Sequence, residues 1–226
     1  MSFIKQLSLR KRIASIFFRT YSDTLDRINR TPLFMDFIKK HADLAVASDE
    51  LKLHEYIHTQ FIGSSPIDYL EFGVFHGASI RRWSQMNASP DSRFFGFDSF
   101  EGLPEKWNRA TPKGTFNTHG VIPTIDDPRV HFVKGWFQES VPKFMLGYSA
   151  KNQIVIHNDS DLYSSTLFCL SQLNSVIKPG TILIFDEFGD LLHEFRAFLD
   201  YTQAYWRKYK ALAATPNFWT FALMFE

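Results

Sequence analysis

Two groups of acidic residues have the type and spacing to hold a divalent cation or to accept a proton. Asp159 and Asp161 stand two residues apart, and the adjacent pair Asp186 and Glu187 follows a later apolar run. Residues two apart on an extended segment point to the same side, so Asp159 and Asp161 could share one cation or serve as ligand and base. Oxygen ligands of this kind suit magnesium or calcium. Helix capping accounts for one acid of the first pair, and salt bridges to basic side chains are the alternative for the whole group.

A glycine-containing turn lies earlier in the chain, between an apolar run and a helical pattern. Its residues of interest are Glu71, Gly73, Val74, Gly77 and Ser79. Glycine lets the backbone approach a ligand closely and adopt positive φ. Because Phe75 replaces the middle glycine of the dinucleotide fingerprint, the turn is less suited to a pyrophosphate. An ordinary strand-to-helix turn is the alternative.

A second polar turn follows the next apolar run, about 20 residues beyond the glycine turn. It contains Asp98, Ser99, Phe100 and Gly102. An acid at this point is placed to hydrogen-bond the hydroxyl groups of a ribose. Capping of a turn before Pro104 is the alternative role of Asp98.

The polar turns each follow a short apolar run that predicts a β-strand. These runs span residues 67–72, 93–97, 130–133, 154–156 and 181–185. Helical patterns intervene over 77–86, 162–177 and 191–202. Strands that alternate with helices predict an α/β fold with a doubly wound, mostly parallel sheet. Ligands bind such sheets at the carboxyl ends of the strands, so the polar turns should form one site.

Composition excludes several classes of protein. The 226 residues carry a formal net charge of +1, which excludes a strongly basic nucleic-acid-binding protein, and 45% are hydrophobic, which excludes disorder of the whole chain. A single cysteine, Cys169, forbids an internal disulfide and a cysteine-rich zinc site. The sequence contains no uninterrupted apolar run of about 18 residues, so it predicts no transmembrane segment. We therefore expect a cytoplasmic protein.

The ends of the chain differ from its centre in charge and in pattern. Residues 1–22 carry five basic residues and no acid, with apolar positions at loosely helical spacing. We expect a helix that packs on its own domain or on a second subunit, with a transit peptide or a membrane-surface helix as alternatives. Residues 1–60 are predicted to form a helical extension that acts as a lid or contacts another copy in a homo-oligomer. Residues 61–226 then form the main domain, in which the Pro- and Gly-rich segment 103–129 is a lid-like loop.

Taken together, the motifs resemble the macrocin O-methyltransferase family. The resemblance covers residues 69–187 and rests on Glu71 to Val74 with Gly77, on the segments 97–104 and 159–166, and on Lys134 to Phe137. Segment 97–104 is the most distinctive of these motifs. Residues 1–60 match no motif of the family.

The resemblance implies a class I S-adenosylmethionine-dependent methyltransferase with a seven-stranded Rossmann-like sheet. The cofactor-binding residues that it implies are Glu71, Gly73, Val74, Gly77, Ser79, Asp98, Ser99, Phe100, Gly102, Gly135, Trp136 and Asp159. It also implies a magnesium ion held by Asp159, Asp186 and Glu187, with Asp159 and Asp161 as catalytic residues and Asp161 as the general base. The family's adjacent pair is Asp-Asp, and the glutamate at 187 shifts one oxygen by roughly a C–C bond.

The function implied is methyl transfer to a hydroxyl group of a small molecule, either a sugar or a glycosylated natural product. Trp107, Phe116 and Trp136 could form an aromatic wall for such an acceptor. A nicotinamide-dependent oxidoreductase is one alternative. The absence of the middle glycine at Phe75 and the acids after the fourth and fifth predicted strands make it less favoured. A non-catalytic cofactor-binding or interaction protein is the other.

Overall fold

The computed structural model describes the backbone of residues 3–226 and the side chains from residue 22 onward. It divides into two compact units, residues 1–42 and residues 43–226. The first unit is a long helix, α1 (Phe3–Lys40), which contains Pro32 and ends on two lysines. The apolar side chains on which the predicted amphipathic pattern of residues 1–22 rests lie outside the described residues. Among the described helices, none is both long enough and apolar enough to cross a membrane.

The second unit alternates strands and helices. Its elements in chain order are β1 (Ala45–Val46), α2 (Glu50–Ile57), β2 (Ile67–Phe72), α3 (Ala78–Met86), β3 (Arg93–Asp98), β4 (Val130–Lys134), α4 (Phe137–Gly147), β5 (Gln153–Asn158), α5 (Tyr163–Leu173), β6 (Ile182–Phe185), α6 (Glu194–Ala204), β7 (Tyr209–Ala214) and β8 (Phe221–Phe225). A short π-helical turn, His58–Ile62, extends α2, and a 3₁₀ turn, Pro216–Phe218, precedes β8.

The strands form one sheet in the order β1-β7-β8-β6-β5-β2-β3-β4. Neighbouring strands are parallel except at β8, which runs antiparallel to both β6 and β7. The predicted doubly wound, mostly parallel sheet is therefore confirmed. It has eight strands rather than seven because Ala45 and Val46 pair with the end of β7 and add a two-residue edge strand.

Helices cover both faces of the sheet, which explains why β2 and β6 are buried along their whole length. On one face the ring of Phe72 contacts Phe137 of α4, and α5 packs between α4 and α6. On the other face Tyr69 stacks on Trp83 of α3, 5.1 Å between ring centroids. The alternation of side chains along β2 thus divides the core into two layers.

The compact second unit begins well before residue 60. Leu53 and Ile57 of α2 are fully buried in the same core as Tyr69 and Trp83. The role predicted for residues 1–60, a lid or an oligomer contact, stays a prediction.

The strand order reverses between β2 and β5. From β2 the chain proceeds through α3 to β3 and β4 on one side, whereas β5 and β6 lie on the other side. The connections that leave the carboxyl ends of β2 and β5 therefore lead in opposite directions along the sheet. Ligands bind at this point in sheets of this type.

Candidate active site

A cavity of about 220 Å³ lies at the carboxyl ends of the strands from β4 to β6. Ten of the residues predicted for the site line it: Gly73, Val74, Asp98, Ser99, Gly102, Gly135, Trp136, Asp159, Asp161 and Glu187. The five other predicted residues are outside its lining: Glu71, Gly77, Ser79, Phe100 and Asp186. The fold therefore brings all five polar turns to one place, although not every predicted side chain reaches the cavity.

Backbone contacts hold the glycine turn against the turn that follows β5. The N–H of Gly73 donates to the carbonyl of Phe97 (3.0 Å), and the N–H of Asp159 donates to the carbonyl of Phe72 (2.9 Å). Gly73 has a φ of +95°, and a Cβ atom there would lie 1.7 Å from the carbonyl oxygen of Asp159. Only glycine fits this position, because the two turns pack backbone against backbone.

The carboxylate of Asp98 fastens the end of β3 to the glycine turn. Its Oδ2 accepts hydrogen bonds from the N–H groups of Val74 and Phe75, both at 2.8 Å, and its Oδ1 accepts one from Phe100 at 2.7 Å. Phe75 and Phe100 have φ values of +50° and +60°, a conformation that costs energy in residues with a side chain. The hydrogen bonds to Asp98 hold both strained residues in place, and Phe75 lines the cavity. Contact of Asp98 with a ribose stays a prediction.

Three carboxylates converge in the wall of the cavity beside the glycine turn. Ligand oxygens of Asp159, Asp161 and Glu187 all lie within 4.8 Å of one another. Glu187 Oε2 is buried and has no hydrogen-bond partner. No described arginine or lysine pairs with any of the three. The positive charge of His157 acts on Asp159, but burial and the charge of Asp186 outweigh it.

Burial and mutual repulsion raise the pKa of each of these carboxyl groups. For Asp161 burial, followed by the charges of Asp186, Asp190 and Asp98, raises the pKa to about 7. Burial and the neighbouring acids raise the pKa of Glu187 to about 12 and that of Asp159 well above its usual value. Asp161 is also held at a φ of +59°. A carboxyl group with a pKa near neutrality is suited to general-base chemistry.

Asp186 is near this cluster but not part of it, and its side chain lies beside a buried histidine. Its Oδ1 lies 3.9 Å from Nε2 of His157, because adjacent residues at the end of a strand face opposite sides. Burial alone would lower the pKa of His157, but the carboxylates of Asp186 and Glu71 outweigh it and hold the pKa well above its usual value. The acids that the fold brings together are thus Asp159, Asp161 and Glu187, whereas the predicted metal set was Asp159, Asp186 and Glu187.

The remaining predicted cofactor residues have other surroundings. Glu71 is buried in the sheet, where its Oε2 accepts a hydrogen bond from the Tyr69 hydroxyl (2.6 Å). Gly77 caps α3, and a Cβ atom there would lie 3.0 Å from the side chain of Pro123. Ser79 lies in the first turn of α3, and Phe100 belongs to the hydrophobic core. Their roles in cofactor binding stay predictions.

The connection between β3 and β4 crosses the cavity and is fastened to the turn before α6. The indole Nε1 of Trp107 donates to Asp190 (3.0 Å), and the carbonyl of Trp107 lies 3.1 Å from Nε2 of His193. Ser164 donates to Glu105 at 2.5 Å. These contacts hold Trp107 in the cavity lining, which also includes Phe116. The predicted lid role of segment 103–129 stays a prediction.

Sequence reasoning missed a buried polar group that supports the acidic cluster. Glu194, the first residue of α6, accepts hydrogen bonds from the Asn158 side chain (2.7 Å) and from the N–H of Glu187 (2.9 Å). Asn158 also donates to Thr166 of α5 (3.2 Å). Burial raises the pKa of Glu194 well above its usual value. The sequence does contain one indication, because Glu194 lies on the apolar side of the helix predicted over residues 191–202. Its partners could not be predicted, since Asn158 and Glu187 lie 36 and 7 residues away in the sequence.

The comparison with known families decides which protein this geometry belongs to. The family model of a methyltransferase domain matches residues 70–188, which include every turn of the cavity. The chain belongs to the methyltransferase domain family. It is a class I S-adenosylmethionine-dependent O-methyltransferase, as the resemblance implied.

Curated relatives and solved structures agree with this assignment. The methyltransferase is 27% identical, over 70% of its chain and 72% of the relative, to the 8-demethyl-8-(2,3-dimethoxy-alpha-L-rhamnosyl)-tetracenomycin-C 4'-O-methyltransferase of Streptomyces olivaceus. It is 24% identical, over 63% of its chain and 69% of the relative, to the mycinamicin III 3''-O-methyltransferase of Micromonospora griseorubida. The crystal structure of CalS11, the calicheamicin methyltransferase, shares the fold with a TM-score of 0.59 and 18% identity, over 99% of this chain and 94% of that one. These findings favour the methyltransferase over the oxidoreductase and the non-catalytic alternatives.

Proposed function

We propose that the enzyme methylates a hydroxyl group of a sugar, either free or attached to a natural product. The observation that carries this proposal is the cluster of Asp159, Asp161 and Glu187 in the wall of the cavity, beside the glycine turn. A sugar hydroxyl is a poor nucleophile at neutral pH, so its methylation requires a base and a group that lowers its pKa. The two curated relatives support the choice of acceptor, since one name specifies a rhamnosyl compound and both specify methylation at oxygen.

Asp161 is the general base of the proposed reaction. Its carboxyl group lines the cavity and has a pKa of about 7, so that near neutral pH it exists in part as a carboxylate able to accept a proton. S-adenosylmethionine supplies an electrophilic methyl group on its sulfonium. Asp161 would accept the hydroxyl proton as the acceptor oxygen attacks that methyl group in line, while the methyl–sulfur bond breaks and S-adenosylhomocysteine leaves with the electron pair of that bond. The walls of the cavity must hold the two reacting atoms about 3–3.5 Å apart.

The acidic cluster fits a magnesium ion. The unpartnered, buried Oε2 of Glu187 and the raised pKa values of all three acids are the features expected of side chains that bind a cation. Asp159 and Glu187 are the proposed ligands, and Asp186, whose Oδ1 lies 3.9 Å from Nε2 of His157, is the third ligand that the family resemblance implies. A bound magnesium ion would orient the acceptor hydroxyl and lower its pKa.

The acceptor would enter beside the aromatic side of the cavity. Trp107 and Phe116 come from the connection between β3 and β4, and Trp136 comes from the turn after β4. Pockets that combine apolar walls with a few polar groups fix a ligand's orientation through those polar groups. Here the hydrogen bond to Asp190 fixes the indole of Trp107.

We further propose a cytoplasmic homo-oligomer. The support for an oligomer is helix α1, on which Leu25, Ile28, Leu33 and Met35 are exposed in the single chain. A second copy of the helix would cover these side chains. The support for the compartment is Cys169, a buried thiol that no disulfide engages.

Turnover and cofactor binding, measured separately, test the proposed roles. Methylation is followed by mass spectrometry with a panel of rhamnosylated aromatic polyketides and nucleotide-linked sugars. Asp161→Asn should lower kcat by about 10²–10⁴-fold, the usual contribution of a general base, and should bind S-adenosylhomocysteine as the wild type does. Asp91→Asn, a change to an exposed acid far from the cavity, is the control. An Asp161→Asn enzyme with wild-type kcat would refute the role of Asp161.

A further inference from the structure

Two apolar side chains project into solvent from the edge of the sheet opposite the active site. Leu146 is 91% exposed and Trp206 is 90% exposed, the highest values among the large apolar side chains of the described residues. Leu146 lies in the last turn of α4, and Trp206 follows the end of α6. Each helix returns the chain from the carboxyl end of one parallel strand to the amino end of the next, so both side chains lie at the amino edge of the sheet.

Trp206 occupies a position at which glycine would be less strained. The N–H of Arg207 donates to the carbonyl of Thr202 (2.9 Å) and that of Trp206 to the carbonyl of Gln203 (3.4 Å), which is the Schellman pattern of a helix end. The residue at this position adopts a left-handed conformation, and Trp206 has a φ of +51°. Glycine is the usual residue there because a Cβ atom is disfavoured. Because the indole of Trp206 is exposed, packing against the rest of the protein does not offset this backbone strain.

Exposed lysines flank these two side chains along the same edge. Lys151 precedes β5, Lys178 precedes β6, and Lys208 and Lys210 stand at the start of β7. Two exposed acids of the described residues adjoin these lysines: Asp91, whose carbonyl accepts a hydrogen bond from the Asn152 side chain beside Lys151, and Glu226 after β8. Because α5 packs between α4 and α6, the row from Leu146 to Trp206 spans two interhelical distances, about 16–20 Å.

We propose that this amino-edge surface, formed by Leu146, Lys151, Lys178, Trp206, Lys208 and Lys210, docks the enzyme on a membrane that contains anionic lipids. Tryptophan is favoured at the boundary between headgroups and hydrocarbon, and lysines are attracted to the negative surface potential. A second copy meeting the first by this surface would place lysines opposite lysines, which disfavours a dimer here. Docking would leave the cavity, at the other edge of the sheet, open to water.

Sedimentation of the full-length enzyme with vesicles tests the proposal. We expect binding to phosphatidylcholine vesicles that contain about one-third phosphatidylglycerol, weakened by salt, and little binding to phosphatidylcholine alone. Trp206→Gly should lower the affinity at least about tenfold without lowering the melting temperature, since it relieves the left-handed strain. The double change Lys208→Gln with Lys210→Gln should lower it about 30-fold, at roughly 1 kcal/mol per lysine.

Matched variants on the opposite edge complete the experiment. Trp219→Ala removes a half-exposed indole there, and Lys106→Gln with Lys113→Gln removes two exposed lysines from the loop over the cavity. Both should bind vesicles as the wild type does. The proposal is overturned if the wild type does not bind anionic vesicles. It is also overturned if Trp206→Gly and the Lys208 and Lys210 changes leave vesicle binding unchanged. It is also overturned if binding depends only on the five basic residues of segment 1–22, or if Trp206→Gly instead changes the molar mass in light scattering.

Discussion

Replacing Gly73 with alanine tests the backbone contact on which the cavity is built. Gly73 and Gly180 have similar φ values, +95° and +90°, so an alanine at either position incurs the same kind of backbone strain. At Gly180 no atom lies within 4 Å of the added Cβ, whereas at Gly73 the carbonyl oxygen of Asp159 lies at 1.7 Å. Gly180→Ala is therefore a matched control for strain without the contact.

The expected magnitudes follow from this geometry. A left-handed alanine costs about 1–2 kcal/mol, so Gly180→Ala should lose about that much stability and Gly73→Ala more, because of its additional contact. At Gly73 the turn or the Asp159 carbonyl must also move by about 1.3 Å to restore a separation of 3.0 Å. A displacement of about 1 Å in an active site can cost 100-fold in rate, or about 2.7 kcal/mol. We expect kcat/KM to fall at least about 100-fold in Gly73→Ala and less than about threefold in Gly180→Ala.

Urea unfolding, calorimetry with S-adenosylhomocysteine and steady-state kinetics measure these effects. Gly73→Ala should be folded, less stable than Gly180→Ala and impaired in binding the product. If the two variants have the same kcat/KM and the same product affinity, the close approach of the two turns does not shape the site and the reasoning is refuted.

Three further predictions concern charge. Since a protonated Asp161 cannot accept a proton, kcat/KM of the magnesium-loaded enzyme should fall on the acid side of its pH profile, at a pH below 7 because the bound cation lowers the pKa of the carboxyl group; the same acid limb in Asp161→Asn would contradict this. Because the pKa of Asp161 is raised, the folded state keeps a proton that the unfolded chain releases near pH 4. The free energy of unfolding of the metal-free protein should therefore fall as pH rises from about 4 to about 7. Magnesium should then raise Tm more at pH 8 than at pH 5, and an equal rise at both would argue against the site. Asp68→Ala removes the buried partner of Arg93, Tyr148 and Lys151 and should cost about 3 kcal/mol in urea unfolding, with KM unchanged; a cost below about 1 kcal/mol would contradict it.

The strands that position the site could be predicted because each is an apolar run closed by a polar turn. Ile67–Phe72 was predicted with its observed bounds, and the strands at 93–98, 130–134, 153–158 and 182–185 within two residues. β7 was missed because Tyr209–Ala214 is rich in alanine and follows a helix directly, so its strand character comes from pairing with β8. β1 has two residues, too few for any periodicity.

Convergence of the polar turns followed from the rule for parallel sheets, but the direction of single side chains did not. Nothing in the sequence near Asp186 indicates that its carboxylate faces His157, a residue of the neighbouring strand. The contact of Glu194 with Asn158 likewise depends on how α6 packs against β5. Both are long-range contacts, and one sequence contains no signal for them beyond the residue types.

Calorimetric titration of S-adenosylhomocysteine into the EDTA-treated enzyme, repeated with magnesium, tests whether the cavity binds the cofactor. We expect micromolar binding in both titrations for the wild type and for Asp159→Asn, and turnover of a sugar acceptor in the wild type alone. The absence of binding to a sample that is folded by circular dichroism would contradict the assignment of the cavity as the cofactor site.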